Sequence, residues 1–411
     1  MTTAAPRELP QITVKTDTRD VLAHARKYAT KQKLQDYLVV DIDAHITESA
    51  FWSEIVGYME SDVYQQMARS FQDRAGSPPG LMNGQPGLLY QDVFGRIPHQ
   101  QSQQEVIDPK DGKDGSSHRQ VALARRAMDA MGIDYMVVFP TPMLVLGMHP
   151  QPEVEAQIGY AFNRWLSEKI LAEEQRLVGL LYLPFNEPDM CVRIVKEMAD
   201  KPGVQGFTVT SVRNRPVHHN SYMRLYSMIE ETGKPLVFHA GFNWSDGVVQ
   251  TCNRFLTMHA LTFPWYNMVH LSNWVINGLP ERFPKLRVGW IESGLEWVSF
   301  CIQRLDLEYM MRTSEAPLLK RKPSEYIKEM FFSSQPLEFH HPELLQASFN
   351  AINGKTQFMY SSDWPHWDFD APRSIFDVAF MDDETRRNVL GYNAARFLGL
   401  DLAKRQKLAA E

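Results

Sequence analysis

The sequence predicts an α/β protein built as a (β/α)8, or TIM, barrel, and three observations predict it. Eight short apolar runs recur along the 411 residues. Amphipathic, helix-like segments lie between most of them, the alternation that makes a parallel sheet covered by helices. No repeat of fixed period, of the ~20–50 residues that mark solenoids and propellers, runs through the chain. The length suits one barrel of ~250 residues carrying insertions.

In chain order, residues 1–36 read as an N-terminal helical extension, with a charged helix expected over Thr13 to Gln35. The barrel is expected over 37–400 and opens with the run Tyr37–Asp43, YLVVDID. Residues 46–130 are too long for an ordinary βα loop, and their middle, Arg74 to Gln120, is crowded with Gly, Pro, Gln and Ser. This insertion leaves the C-terminal end of the first strand, where barrel enzymes carry their active sites, so a lid or subunit-contact arm is expected. The next runs are Asp134–Pro140, Leu177–Leu183, Val204–Thr210 and Pro235–His239. Helices are expected over Pro152–Ala172 and Tyr222–Glu231, the second ended by Gly233 and Pro235. Leu286–Glu292, Met330–Ser334 and Gln357–Asp363 complete the eight, and residues 401–411 read as a C-terminal tail with a trailing helix from Leu402.

Composition narrows the class of partner. With 44% hydrophobic and 22% charged residues, the chain is globular rather than disordered, collagenous or coiled-coil. A net charge of −6 without a Lys/Arg-rich run argues against nucleic acid or an anionic membrane, leaving a small molecule as the expected partner. The three cysteines, Cys191, Cys252 and Cys301, lie far apart without C-x-x-C spacing, so neither a disulfide framework nor a thiolate zinc site is expected. A reducing cytoplasm follows, and the lone Arg7 with no apolar segment in Met1 to Gln11 predicts no secretory signal.

Polar residues that interrupt the apolar runs carry the chemistry, because a charge at the end of a buried strand is costly unless something pairs with it. The first run leads into Asp41-Ile-Asp-Ala-His45, whose Asp43 and His45, two residues apart, project to one side of an extended chain. The fifth run ends at His239, the sixth at Glu292 and the eighth at Asp363. In a barrel such strand ends converge on the axis, within reach of one metal ion. Imidazole and carboxylate without sulfur suit Zn, Mn or Fe, as one ion or two.

The phrases Asp41-Ile-Asp-Ala-His45-Ile-Thr-Glu48, Gly233-Lys-Pro-Leu-Val-Phe-His239, Leu279-Pro-Glu-Arg-Phe-Pro-Lys-Leu286 with Trp290-Ile-Glu-Ser-Gly294, and Tyr360-Ser-Ser-Asp-Trp-Pro-His366-Trp-Asp368 stand in that order. Together they resemble the amidohydrolase-related family, which includes aminocarboxymuconate-semialdehyde and resorcylate decarboxylases. The resemblance runs from about Leu38 to Leu400. It implies a distorted TIM barrel whose metal is held by Asp43 and His45, by His239 and by Asp363. Two departures stand out. The first-strand motif is Asp-x-His where those decarboxylases carry His-x-His or Glu-x-His, and Glu292 replaces a sixth-strand His that serves as proton donor or polariser. A carboxylate there would draw in a second cation or hold its proton beside the other acids.

Supporting candidates keep two readings each. His366 is an acid/base or extra ligand, or else a loop residue bonded to backbone. His270 reaches a second metal or packs in the core, and Glu48 is equally ambiguous. Arg213 clamps a substrate carboxylate in a bidentate fork, or only pairs with a surface acid. Trp244 walls the pocket or only packs. His218-His219 and His340-His341 read as loop or helix-end residues.

Three functions are consistent with these residues. The first is a metal-dependent hydrolase or lyase cleaving a C–C or C–N bond of a small carboxylated substrate, with Asp363 as ligand and base. The second is a dinuclear Mn/Fe or diiron oxygenase on the same barrel, with Glu292 and His270 as further ligands. The third is a non-catalytic barrel subunit. A homo- or hetero-oligomer is expected in each case.

Overall fold

The structure, a computed structural model, describes residues 18–72 and 117–402 except 242, 244–245, 248–250, 253–254 and 367. The lid or arm expected in the middle of the insertion and most of the trailing helix lie outside the described residues. Eight parallel strands form one sheet in the order of the chain: β1 (Val40–Ile46), β2 (Tyr135–Pro140), β3 (Leu177–Tyr182), β4 (Val204–Thr210), β5 (Leu236–His239), β6 (Val288–Ile291), β7 (Phe331–Ser333) and β8 (Phe358–Met359). Each expected run coincides with one strand, with β1 continuing past the expected end at Asp43 to Ile46. Helices Pro152–Trp165, continued as a wider turn over Leu166–Leu171, and Met223–Thr232 occupy the two expected helical segments. The leading helix, Thr18–Lys31, packs against Arg119–Met131. Among the described residues no helix is long and apolar enough to cross a membrane.

The core has two layers. Outward-facing strand residues such as Met136, Val138, Leu181 and Phe238 pack beneath the helices, while Val137, Phe139, Val178, Leu180, Val237 and Ile291 fill the barrel. Helix Asn393–Leu398 closes the floor, where Ala394, Ala395, Phe397 and Leu398 join Leu38 and Val40 in the inner cluster. Phe397 occupies the space that a side chain at Gly289 would take, since a Cβ there would stand 2.8 Å from its ring.

One irregularity sets the site. Along a strand, side chains alternate between faces. Val40 and Ile42 point into the barrel, yet Ala44 and Ile46 belong to the outer layer. The phase changes across the register shift between Asp41 and Ala44, where a bulge interrupts the ladder with β2. That change turns Asp43 and His45 inward.

The barrel is nearly closed. Seven neighbouring pairs share parallel ladders, whereas the seam between β8 and β1 carries a single bridge, Ala44 to Trp364, among the described residues.

Candidate metal centre

β1 delivers Asp43 and His45, β5 ends on His239, and Glu292 and Asp363 follow β6 and β8 at the same mouth. Both of these carboxylate residues adopt left-handed backbone, with φ of 59° at Glu292 and 58° at Asp363. For a residue with a Cβ this costs on the order of 1–3 kcal/mol and persists only where the surroundings enforce it. The enforcing contacts are visible. Glu292 N donates to Ser333 Oγ at 3.0 Å, and Asp363 N donates to the Asp43 carbonyl at 2.7 Å. Each strand therefore breaks sharply at the mouth and leaves its carboxylate there.

The side chains meet. His45 Nε2 lies 3.3 Å from Asp43 Oδ1 and 3.2 Å from Asp363 Oδ1. His239 Nε2 lies 3.1 Å from Asp43 Oδ1, and its Nδ1 3.4 Å from Glu292 Oε2. His366 Nδ1 stands 2.7 Å from Asp363 Oδ1 and 3.9 Å from Glu292 Oε1. Asp43, His45, His239, Glu292 and Asp363 are all buried, while the His366 side chain is 17% exposed.

Carbonyl partners fix which nitrogen faces the centre. His45 Nδ1 lies 3.0 Å from the Pro140 carbonyl and His239 Nδ1 2.8 Å from that of Ala240. A carbonyl can only accept, so each Nδ1 carries hydrogen and each Nε2 is turned to the cluster, the arrangement typical of metal-binding imidazoles.

The charges are strongly coupled. Burial drives the Glu292 carboxyl well above the usual range, and the neighbouring Asp363, Asp43 and Asp368 add to it. Burial also opposes ionisation of Asp43 and Asp363, but their histidine partners overcome it and hold both below the usual range. Burial lowers the proton affinity of His45, yet hydrogen bonds to Asp363 and Asp43 outweigh it and push the imidazole up to about 10.

The donor set fits a divalent ion. The buried atoms His45 Nε2, Glu292 Oε2 and Asp363 Oδ1 have other members of the cluster as neighbours, at 3.2, 3.4 and 2.7 Å, so ligand atoms face one another across a space that a cation can share. Two four-residue groups have donor atoms within 4.8 Å of one another: Asp43, His45, His239 and Glu292, and His45, Glu292, Asp363 and His366.

The remaining candidates divide. His366 is brought into the cluster, with its Nε2 3.2 Å from Thr141 Oγ1. Glu48 is buried beside it without touching it. The Glu48 carboxylate accepts from Thr141 N at 2.8 Å and Met143 N at 2.7 Å, fixing the loop that carries the His366 partner. His270 is not brought in. It stacks on the outward-facing Phe238, and its Nε2 lies 2.8 Å from the Ser211 carbonyl. Its helix packs outside the wall that His239 faces from within. Arg213 makes its contacts elsewhere, donating to Thr210 O at 2.7 Å and to Glu155 Oε1 at 3.3 Å, with both side chains of the ion pair fully buried. Trp244 lies outside the described residues. His219 caps the turn Asn220–Tyr222, and His341 precedes helix Pro342–Ala351. Sequence reasoning gave no role to Thr141 or Ser333. Small hydroxyl residues at strand ends have too many uses to single these out.

Comparison with known proteins fits this geometry. The amidohydrolase family model matches residues 40–400. Gamma-resorcylate decarboxylase of Polaromonas sp. (strain JS666 / ATCC BAA-500) is 21% identical over 286 residues, covering 67% of this chain and 86% of that protein. The 2-amino-3-carboxymuconate-6-semialdehyde decarboxylase of Dictyostelium discoideum is 20% identical over 273 residues, 66% of this chain and 74% of its own length. Among solved structures, 5-carboxyvanillate decarboxylase from Sphingomonas paucimobilis superposes with a TM-score of 0.63 at 18% identity, covering 89% of this chain and 100% of that one. Dihydroxybenzoic acid decarboxylase from Polaromonas sp. JS666, solved with bound manganese and 2-nitroresorcinol, gives 0.61 at 16% identity over 91% and 99% of the chains. At these identities the structural likeness speaks to the fold.

Proposed function

The chain belongs to the amidohydrolase family, and from that premise we propose that it is a metal-dependent lyase that removes carbon dioxide from a small aromatic carboxylate. The observation that carries this reading is the convergence at one mouth of Asp43, His45, His239, Glu292, Asp363 and His366, whose donor atoms fall into two overlapping groups, each within 4.8 Å. The decarboxylases similar to this chain and the manganese in one of the solved neighbours support the reaction class and the metal. Manganese and zinc both suit the donors.

Asp43, His45, His239 and Asp363 would hold the ion, which would supply Lewis-acid stabilisation of charge on the substrate oxygens. Glu292, held protonated by burial and by the neighbouring aspartates, is the proton donor. Its proton passes to the ring carbon as the bond from that carbon to the carboxylate breaks. The carbon keeps the proton and carbon dioxide leaves. His366, the partly exposed member, is 3.9 Å from Glu292 and returns a proton from solvent. Asp363, kept ionised, orients His366 at 2.7 Å.

The test loads the protein with Mn2+ or Zn2+, offers a panel of hydroxybenzoates in heavy water, and measures carbon dioxide with the product. Release of one carbon dioxide per product, with deuterium at the vacated ring position and no need for oxygen, is the expected result. Turnover without carbon dioxide release would overturn the reading.

A second reading rests on the overlap of the two ligand groups, which share His45 and Glu292 and so offer donors to two ions. In that case the centre is a dinuclear Mn or Fe site that activates oxygen. About two such ions per chain, and label from O2 in the product, would favour it.

A further inference from the structure

We propose that Asp41 is a positioning residue that sets the spacing of Asp43 and Asp363 by clasping the seam where the barrel closes. The inference rests on the metal reading above and concerns what lies beneath the ligands. The two sides of the seam each provide one aspartate, and His45 Nε2 stands between them, 3.3 Å from Asp43 and 3.2 Å from Asp363. Any slip of β8 along β1 changes that spacing directly.

Backbone pairing across the seam is sparse. Besides the single bridge, it consists of Ile42 N to Tyr360 O at 3.1 Å, Asp363 N to Asp43 O at 2.7 Å and His45 N to Trp364 O at 2.5 Å. β1 is itself irregular at this point, with a bulge in its ladder to β2 between Asp41 and Ala44.

The fully buried Asp41 carboxylate supplies what the ladder lacks. Its Oδ1 accepts from Asp43 N at 3.1 Å and from Ser362 N at 2.8 Å. Its Oδ2 accepts from Ser362 Oγ at 2.5 Å. One carboxylate therefore grips the backbone of a ligand on β1 and that of the residue preceding a ligand after β8. The Ser362 hydroxyl extends the clasp, accepting from Trp364 N at 3.0 Å and lying 3.4 Å from the Asp43 carbonyl. Asp41 touches neither substrate nor ion. It acts through Ser362 and the bulge. Partners that orient metal ligands are typically worth about 10- to 100-fold in metal affinity.

The experiment strips the full-length protein of metal and measures Mn2+ affinity by chelator competition, the Mn2+ paramagnetic resonance spectrum and the melting temperature without metal. Wild type is compared with Asp41→Ala, Asp41→Asn and Ser362→Ala. Asparagine keeps an oxygen toward the two amides and turns its amino group to the Ser362 oxygen. We expect Asp41→Ala and Ser362→Ala to bind Mn2+ about 10- to 100-fold more weakly with an altered spectrum, and Asp41→Asn to recover most of the affinity. A role confined to stability would lower all three melting temperatures while leaving affinity and spectrum unchanged, and that result overturns the proposal. If Asp41→Ala fails to fold, Ser362→Ala decides: wild-type affinity in that variant overturns the clasp. Wild type that binds no Mn2+ would instead overturn the metal reading itself, a separate failure.

Discussion

Asp43 and His239 are 196 residues apart in the chain, and Asp43 Oδ1 stands 3.1 Å from His239 Nε2. The contact crosses the barrel mouth from the first strand to the fifth. A carboxylate oxygen facing an imidazole nitrogen whose ring is pinned from behind by a carbonyl can hold either a proton or a cation.

Changing His239 to Ala removes one wall of that pair. Bound metal should fall well below one ion per chain by elemental analysis, with a normal circular dichroism spectrum. Full retention of metal would show that the ion sits elsewhere.

Changing Glu292 to Gln keeps the shape and removes the transferable proton. Metal content should hold steady while kcat drops roughly 100- to 10,000-fold, the range for a lost acid–base group. Loss of one of two ions in the same variant would instead identify Glu292 as a bridging ligand.

Arg213 and Glu155 form an ion pair with no solvent contact, and Glu155 also accepts from Tyr182 Oη at 2.8 Å and Asn186 N at 3.0 Å. Changing Arg213 to Met strands a buried carboxylate and should cost about 3–5 kcal/mol in urea unfolding. A double variant that also carries Glu155→Leu should recover part of this. KM should change little, because Thr210 and Glu155 take the hydrogen bonds of the guanidinium.

Glu338 gives a pH prediction. Burial, followed by its hydrogen bond to Glu296 and the charge of that neighbour, pushes its carboxyl up to about 8 from an ordinary 4.5. The folded protein then binds a proton that the unfolded chain has released, so stability falls as pH rises from about 4.5 to about 8. Burial pushes Glu48 up to about 7, with the same sign. Changing Glu338 to Gln should flatten the fall in melting temperature across this range without abolishing it. An unchanged slope would mean that Glu338 ionises freely in the folded state.

The legible part of the molecule was what local chemistry dictates. Each apolar run became a strand, and the polar residues closing four of them met at one mouth because parallel strands in a barrel share a polarity. The first run was placed to end at Asp43, yet β1 continues to Ile46. Its bulge is invisible in a sequence where Asp41, Asp43 and His45 alternate cleanly. Arg213 and Glu155 are 58 residues apart, and nothing local to either announces the other. His270 keeps two readings in the sequence because a buried histidine on a helix looks alike whether it faces the barrel or Phe238, and the structure shows the packed one. The role of Glu48 depends on backbone amides of a loop more than 90 residues away, which no side-chain pattern encodes.

The helix that closes the barrel floor, Asn393–Leu398, also orders events during synthesis. Phe397 stands 4.7 Å, ring to ring, from Phe331 of β7 and fills the space above Gly289, while the Phe397 carbonyl accepts from Arg287 at 2.9 Å. These are among the last described residues to leave the ribosome, and the inner cluster includes side chains from seven strands that wait for them. Without that helix, Leu38, Val40 and Met359 would lose its cover at the base of the barrel. A chain released short of residue 393 therefore presents an apolar funnel to its surroundings, the kind of surface that chaperones bind and that aggregates nucleate on.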